Sequence, residues 1–166
     1  MVSVSTRFAG LTKAQAELVK HWRDCSRHND MPSRECLDPG AIKMHLSEIS
    51  MVEMSDRGEA RFRLAGSGLR QLFGREMRGR LLSDLNQTTF EMWTLGLSRA
   101  LDMGQPIGGL IDQGGTSHAW LRLPLRSEGL DAVVLCHDAL IPNARLNTHS
   151  HTQSHKSVNI DRSIAA

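Results

Sequence analysis

The chain has 166 residues, of which 40% are hydrophobic and 23% charged, and its formal net charge is +2. This length suits one domain with a single core, and so small a charge predicts no nucleic-acid partner, because polyanion-binding domains usually carry a general basic excess. No run approaches the roughly 18 apolar residues of a membrane span, and the absence of a secretory leader and of C-x-x-C spacing among the three cysteines predicts a cytoplasmic protein without membrane insertion.

The first predicted element is an amphipathic helix that ends near residue 27. Thr12 and Gln15 have the spacing of a capping box. An apolar stripe follows at helical spacing: Leu11, Leu18, Trp22 and Cys25. We expect residues 1–10 to form a flexible N-terminus, and a loop with two prolines to lead into a short helix over residues 40–46.

The next elements alternate between strands and helices. Residues 49–54 and 60–65 predict a β-hairpin, residues 67–73 a short helix that ends at Gly74, and residues 88–103 a longer helix that ends at Gly104. Three strands are predicted over residues 107–112, 118–125 and 132–141. Beyond Pro142 the chain has hardly an apolar residue, so we expect residues 142–166 to be a disordered polar tail outside a domain of residues 11–141.

Glycines between residues 63 and 85 raise the question of a phosphate-binding loop. After Gly66 and Gly68, the third position of G-x-G-x-x-G is Gln71, and the segment GREMRGRL has Arg80 and Leu81 where a P-loop has lysine and a hydroxyl. Both motifs fail. We instead expect Gly66, Gly74 and Gly79 to adopt positive φ where strands or helical turns end.

Residues 62–85, FRLAGSGLRQLFGREMRGRLLSDL, resemble the bacterial single-domain PAS family. Members commonly show a strand, a helical turn that ends in an aromatic-Gly pair, here Phe73-Gly74, and a G-[RK]-x-[LF] turn, here residues 79–82. The resemblance extends over about residues 13–141. It implies an α+β fold: a PAS-like five-stranded antiparallel sheet covered on one face by helices, with the N-terminal amphipathic helix in addition.

The resemblance also implies a small cavity between the sheet and its helices, with no assigned ligand. We expect its wall to come from apolar residues of the helices and strands: Leu69, Leu72, Phe73, Met77, Phe90, Trp93, Leu97, Leu121 and Leu123. The same residues would make an ordinary core, because apolar faces are needed to cover a sheet. A filled core would favour a pure protein-interaction adaptor over a sensor.

Six arginines between residues 61 and 80 face one acid, Glu76. Arginine binds phosphate and carboxylate in a bidentate manner, so Arg75, Arg78 and Arg80 are predicted contacts for an anion or an acidic partner. A phosphate- or nucleotide-binding protein that uses this basic cluster is the less favoured function, and a solvated face is the alternative interpretation.

The sequence predicts neither a metal nor a cofactor. Some PAS domains hold haem through a histidine on a helix, but residues 88–103, the long predicted helix, contain no histidine. His137 beside Cys136 is the nearest candidate for a pair of metal ligands. Catalytic motifs such as G-x-S-x-G and H-E-x-x-H are absent, so we expect a non-enzymatic protein.

Together these patterns predict a cytosolic signalling module that senses a small molecule, docks a regulatory protein partner, or does both. A homodimer is expected, because PAS domains use N-terminal amphipathic helices for dimerisation. Leu11, Leu18 and Trp22 would form its contact, although the same stripe is able to pack on its own sheet.

Overall fold

The computed structural model describes residues 8–28, 30–129 and 131–143. Its helices are α1 (Lys13–Cys25), α2 (Ser67–Phe73) and α3 (Gln87–Met103), and short 3₁₀ turns cover Arg34–Cys36, Lys43–Glu48 and Leu82–Asp84. The strands are β1 (Ile49–Met54), β2 (Ala60–Ala65), β3 (Ile107–Asp112), β4 (Thr116–Leu125) and β5 (Ala132–Pro142). Residues 1–7 of the predicted flexible N-terminus and residues 144–166 of the predicted tail lie outside the described residues.

The five strands form one antiparallel sheet in the order β2-β1-β5-β4-β3. This confirms the predicted α+β class and the five-stranded antiparallel sheet. The longest strands, β4 and β5, pair at the centre, where Trp120 lies opposite Asp138 and Arg122 opposite Cys136. Among the described helices, none is both long and apolar enough to cross a bilayer.

Local capping explains where the helices begin. The Thr12 hydroxyl accepts a hydrogen bond from the Gln15 N–H, and the Gln15 side chain accepts one from the Leu11 N–H, one residue before the cap. The Asn86 side chain caps α3 by accepting from the Thr89 N–H. The short helix predicted over residues 40–46 forms as a 3₁₀ helix that begins later, at Lys43, because the Asp38 carboxylate accepts from the Gly40 N–H in a turn.

Opposite faces of the sheet carry separate apolar clusters. Leucines 121, 123 and 125 of β4 pack with Leu18 and Trp22 of α1, whereas Val134 and Cys136 of β5 pack with Trp93 and Leu97 of α3. Successive side chains of a strand point to opposite faces, so α1 covers one face while α2 and α3 cover the other. The helices over the second face are the predicted helical layer, and α1 covers the first face of the sheet.

The glycines after β2 and α2 serve two different purposes. Gly74 and Gly79 have φ of 69° and 80°, as predicted. The prediction is wrong for Gly66, whose φ is −66°. A Cβ at Gly66 would lie 2.2 Å from the Leu46 carbonyl oxygen and 2.4 Å from that of Ser47, so close packing against the backbone before β1 is what requires glycine there.

Replacing Gly66 with alanine is expected to lower the free energy of unfolding by about 1–3 kcal/mol, because the carbonyl oxygens around the new methyl group move only with their backbone. Gly129→Ala is the matched control, since the nearest neighbour of its Cβ would be 3.8 Å away. That control is expected to stay within about 0.5 kcal/mol of the parent in a urea titration. Equal losses in the two variants would contradict this account of Gly66.

Candidate functional site

A cavity of about 290 Å³ lies among α2, the start of α3 and strands β3 to β5. Half of the twelve described residues that line it are apolar: Leu72, Phe73, Leu85, Met92, Ile111 and Leu140. The other half are polar: Arg75, Asn86, Thr88, Thr89, Gln113 and His118. Small-molecule sites are typically lined by apolar side chains with a smaller number of polar groups that set orientation, so this lining combines both features and is more polar than usual.

The cavity has an exposed polar rim and a buried polar floor. Arg75, Asn86, Thr88 and Gln113 are exposed to solvent at the rim. His118 of β4 is the most buried of the described lining residues, with 2% of its surface exposed, and we call it the floor. A ligand that fills this cavity would therefore meet charge and amide groups at its outer end and a single imidazole at its inner end.

The floor histidine is held by a buried ion pair. Asp138 lies opposite Trp120 in the β4–β5 register, so His118 and Arg122, two residues either side of Trp120, are its diagonal neighbours on the same face. The His118 Nε2 is 2.7 Å from Asp138 Oδ1, and Arg122 donates from both terminal nitrogens to the Asp138 carboxylate at 3.0–3.2 Å. The side chains of Arg122 and Asp138 have no solvent exposure.

Charge coupling keeps both members of this pair ionised. Burial by itself would raise the pKa of Asp138, but the Arg122 guanidinium and the hydrogen bond from His118 outweigh it, and the pKa lies below its ordinary value. Burial by itself would lower the pKa of Arg122, but the Asp138 charge outweighs burial, and the pKa lies above its ordinary value. Because the carboxylate is ionised, it accepts the proton of His118 Nε2 and so sets the tautomer of the ring.

The ion pair also contacts α3. The Arg122 guanidinium carbon lies 4.0 Å from the centre of the Trp93 ring, which is within the range of a cation–π interaction. Gly96, one turn further along α3, permits this approach, since a Cβ there would lie 3.3 Å from Arg122 Cγ and from Trp120 Cζ3. The floor of the cavity is thus coupled to the helix whose N-terminus forms part of the rim.

The structure brings only part of the predicted cavity wall together. Leu72 and Phe73 line the cavity described above, while Phe90 and Leu97 line a second cavity of about 180 Å³ beside β2. Three of the predicted residues are packed into the core beneath α3: Leu69, Met77 and Trp93. Leu121 and Leu123 point to the opposite face and pack against α1, so they do not share a cavity with the other seven.

The arginines of the predicted anion site bond mainly to their own loop. Arg75 donates to the Asp84 carbonyl and Arg80 Nε to the Glu76 carbonyl at 2.9 Å. Arg70 pairs with the Glu76 carboxylate at 3.0 Å. These bonds hold the loop between α2 and α3, and of the three predicted anion contacts Arg75, Arg78 and Arg80, only Arg75 lines the cavity.

The stripe of α1 packs within its own chain. Leu18 and Trp22 are buried under the sheet, and the Trp22 indole N–H donates to the Pro124 carbonyl at 2.8 Å. Leu11 remains 49% exposed. Of the three residues predicted to form a dimer contact, only Leu11 is therefore accessible on the single chain.

His137 and Cys136, adjacent in sequence, point to opposite faces of the sheet and cannot share a metal ion. His137 Nε2 lies 3.0 Å from a Glu48 carboxylate oxygen on the α1 side, while Cys136 is in the core under α3. Burial raises the pKa of the Cys136 thiol to about 12, which disfavours the thiolate that binds metals. Within the described residues, no three His, Cys, Asp or Glu side chains are placed to hold a metal ion.

Sequence reasoning did not single out His118 as a site residue and did not find its partners. Arg122 and Asp138 are charged residues of opposite sign inside strongly apolar strands, which is the signal that was available. Placing them together requires the register of β4 on β5, and that register is a tertiary property.

Replacing Asp138 with asparagine is expected to lower the free energy of unfolding by about 3–5 kcal/mol, because it leaves the Arg122 charge buried without its partner. Glu53→Gln is the control, since it removes the partly exposed Arg63–Glu53 pair and should cost at most about 1 kcal/mol. Both are measured by chemical denaturation. The double variant Arg122→Met with Asp138→Leu should be less destabilised than Asp138→Asn, and the reverse order would contradict the explanation.

His137 is expected to make the fold sensitive to mild acid. The pKa of His137 lies below its ordinary value, because burial and the nearby His45 lower it by more than Glu48 and Asp138 raise it. The unfolded chain, with an ordinary histidine pKa of about 6.5, then takes up the proton first, so the free energy of unfolding falls as the pH drops below about 6.5. His137→Gln should flatten this slope by at most about 1.4 kcal/mol per pH unit between pH values of about 6.5 and 5.5. Denaturation curves at several pH values provide the measurement, and an unchanged slope would count against it.

Comparison with known proteins identifies the family. The model of the PAS domain family matches residues 11–92, about half of the chain. Among solved structures, a domain of an HTR-like protein from Haloarcula marismortui is similar at a TM-score of 0.45 and 14% identity, over 57% of this chain and 99% of that one. The PAS domain of histidine kinase ThkA is similar at a TM-score of 0.42 and 22% identity, and the match covers 55% of this chain and 99% of that one. No curated protein matched. Through its match to the family model, the chain belongs to the PAS domain family, whose members are generally sensory, non-catalytic signalling modules.

Proposed function

We propose that this chain is a sensor that binds a small molecule in the cavity above His118. The observation that carries the proposal is the combination of about 290 Å³ of space with a buried, oriented imidazole at its inner end. This volume is at the lower end of the range for small-molecule sites, so the ligand is small. Apolar walls supply affinity and the polar rim and floor supply orientation.

Signal output in this proposal passes to a regulatory protein partner or to a second copy of the chain. A ligand shifts the equilibrium between two conformations only by the difference between its affinities for them. The cavity is suited to that role, because α3 forms its rim and also lies against the Arg122–Asp138 pair behind its floor. Self-association through α1 would involve its outer side near Leu11, since Leu18 and Trp22 are buried.

A protein-interaction adaptor with a filled core is the second candidate. The observation in its favour is the close packing of Leu69, Met77 and Trp93, which the sequence had placed around a cavity and which are at most 1% exposed. An adaptor needs no ligand. The two functions therefore differ in whether the purified chain retains a small molecule.

The test uses the variant Leu140→Trp, which places an indole in the cavity from a strand leucine that is 46% exposed. Leu64→Trp is the matched control, because Leu64 is a strand leucine of 42% exposure that does not line the cavity. Each protein is incubated with a deproteinised bacterial cell extract and analysed by native mass spectrometry. The parent and Leu64→Trp are expected to retain a small molecule, and Leu140→Trp to retain at least about tenfold less.

A parent chain that retains nothing from the extract would refute the sensor and favour the adaptor. Equal retention by Leu140→Trp and Leu64→Trp would show that the ligand binds elsewhere. Thermal unfolding of all three proteins without extract shows whether the added indole has disturbed the fold.

A further inference from the structure

The rim of the cavity favours a negative charge. Among the described residues that line the cavity, Arg75 is the only arginine or lysine, and none carries a carboxylate. The N-terminus of α3, a helix of 17 residues, forms the same rim through Asn86, Thr88 and Thr89. Its first turn has no acidic residue, and the Asn86 cap occupies only the Thr89 N–H, so free N–H groups and the positive end of the helix dipole remain at the rim.

The floor supplies an independent observation. His118 is 2% exposed, and Asp138 accepts the proton on its Nε2. In the neutral ring Nδ1 therefore has a free lone pair, and the described residues give this atom no hydrogen-bond partner. Because His118 lines the cavity, a hydroxyl or N–H group on a ligand would be able to donate to this atom.

Apolar side chains separate these two polar ends. Phe73 and Met92 line the cavity from the helical layer, and Ile111 and Leu140 line it from the sheet. A flat or aliphatic body fits between them, whereas a second charge in the middle of the ligand would lose its hydration without gaining a partner.

Resting on the proposed function, we propose that the ligand is a small amphipathic organic acid with a hydrogen-bond donor at the end opposite its carboxylate. The carboxylate lies at the rim against Arg75 and the N-terminus of α3. The apolar body fills the middle, and a hydroxyl or N–H group donates to His118 Nδ1. Arg75 already donates to the Asp84 carbonyl, but a guanidinium has five N–H donors and keeps others for the carboxylate.

Three probes of one shape separate the two ends of the ligand: 4-hydroxyphenylacetate, phenylacetate and 4-hydroxyphenylethanol. The first has both polar ends, the second lacks the inner hydroxyl, and the third lacks the outer charge. Calorimetric titration of the full chain is expected to show 4-hydroxyphenylacetate binding at least about tenfold more tightly than either of the others.

Variants assign each end to its residue. Arg75→Gln should abolish the preference for the acid over the alcohol while it keeps the preference for the hydroxyl. Arg70→Gln is the control, because Arg70 is an exposed arginine of the same segment that does not line the cavity. His118→Phe should remove only the preference for the hydroxyl.

A measurement on the parent protein covers the case in which His118→Phe fails to fold. The ¹⁵N resonance of His118 Nδ1 should move on addition of 4-hydroxyphenylacetate and stay in place with phenylacetate. Equal affinity for the acid and the alcohol would overturn the assignment of the carboxylate to the rim. An Nδ1 resonance that stays in place at saturation with 4-hydroxyphenylacetate would overturn the assignment of the donor to His118.

Failure of this inference is distinguishable from failure of the proposed function. If none of the three probes binds while the parent still retains an extract component that Leu140→Trp loses, the ligand class is wrong and the sensor stands. If the parent retains nothing and binds no probe, both are overturned.

Discussion

Arg122 and Asp138 carry opposite charges in the two central strands, and the side chain of neither reaches solvent. Removing both charges from water has a large desolvation cost, which their attraction offsets only if the geometry is good and the remaining donors find partners. Here the carboxylate accepts from both terminal guanidinium nitrogens and from His118, and Trp93 covers the guanidinium, while Arg122 Nε has no partner among the described residues. The pair therefore fixes three things together: the β4–β5 register, the position of α3 and the tautomer of the cavity histidine.

The two faces of the sheet differ in what packs against them. The leucines of β4 form an apolar cluster with Leu18 and Trp22 of α1, and none of the described residues that line the His118 cavity belongs to it. On the other face, charged and polar side chains of the same strands lie under α3 beside the cavity. Such a division lets one face stabilise the domain while the other tolerates the polar groups and the empty space that a binding site needs.

In the proposed sensor, α3 both contacts the ligand and transmits the conformational response. Its first turn forms the rim of the cavity, and its middle contacts the buried pair through Trp93 and Gly96. A ligand that binds between that first turn and His118 acts on both ends of this connection. Membership of the PAS family supplies the class of function, and the cavity residues supply the chemistry by which this chain would select its ligand.

Local patterns in the sequence predicted most of the elements. Alternation and helical spacing predicted the order of strands and helices along the chain, and Thr12 caps α1 by a bond that spans only three residues, as the capping-box spacing predicted. The same kind of reasoning was wrong at Gly66, because the carbonyl oxygens of Leu46 and Ser47 that exclude a side chain there come from a different part of the chain.

Residue patterns were enough to predict the apolar faces of the strands, the turns of the chain and, through residues 62–85, the family. Only the folded arrangement shows that Leu121 and Leu123 face α1, that most predicted wall residues are packed, and that Arg122 and Asp138 meet His118 at the floor of a cavity. The physical reason is that periodicity is a property of neighbouring residues, whereas the face a strand turns to each helix, and the partner of a buried charge, depend on the register between strands far apart in sequence.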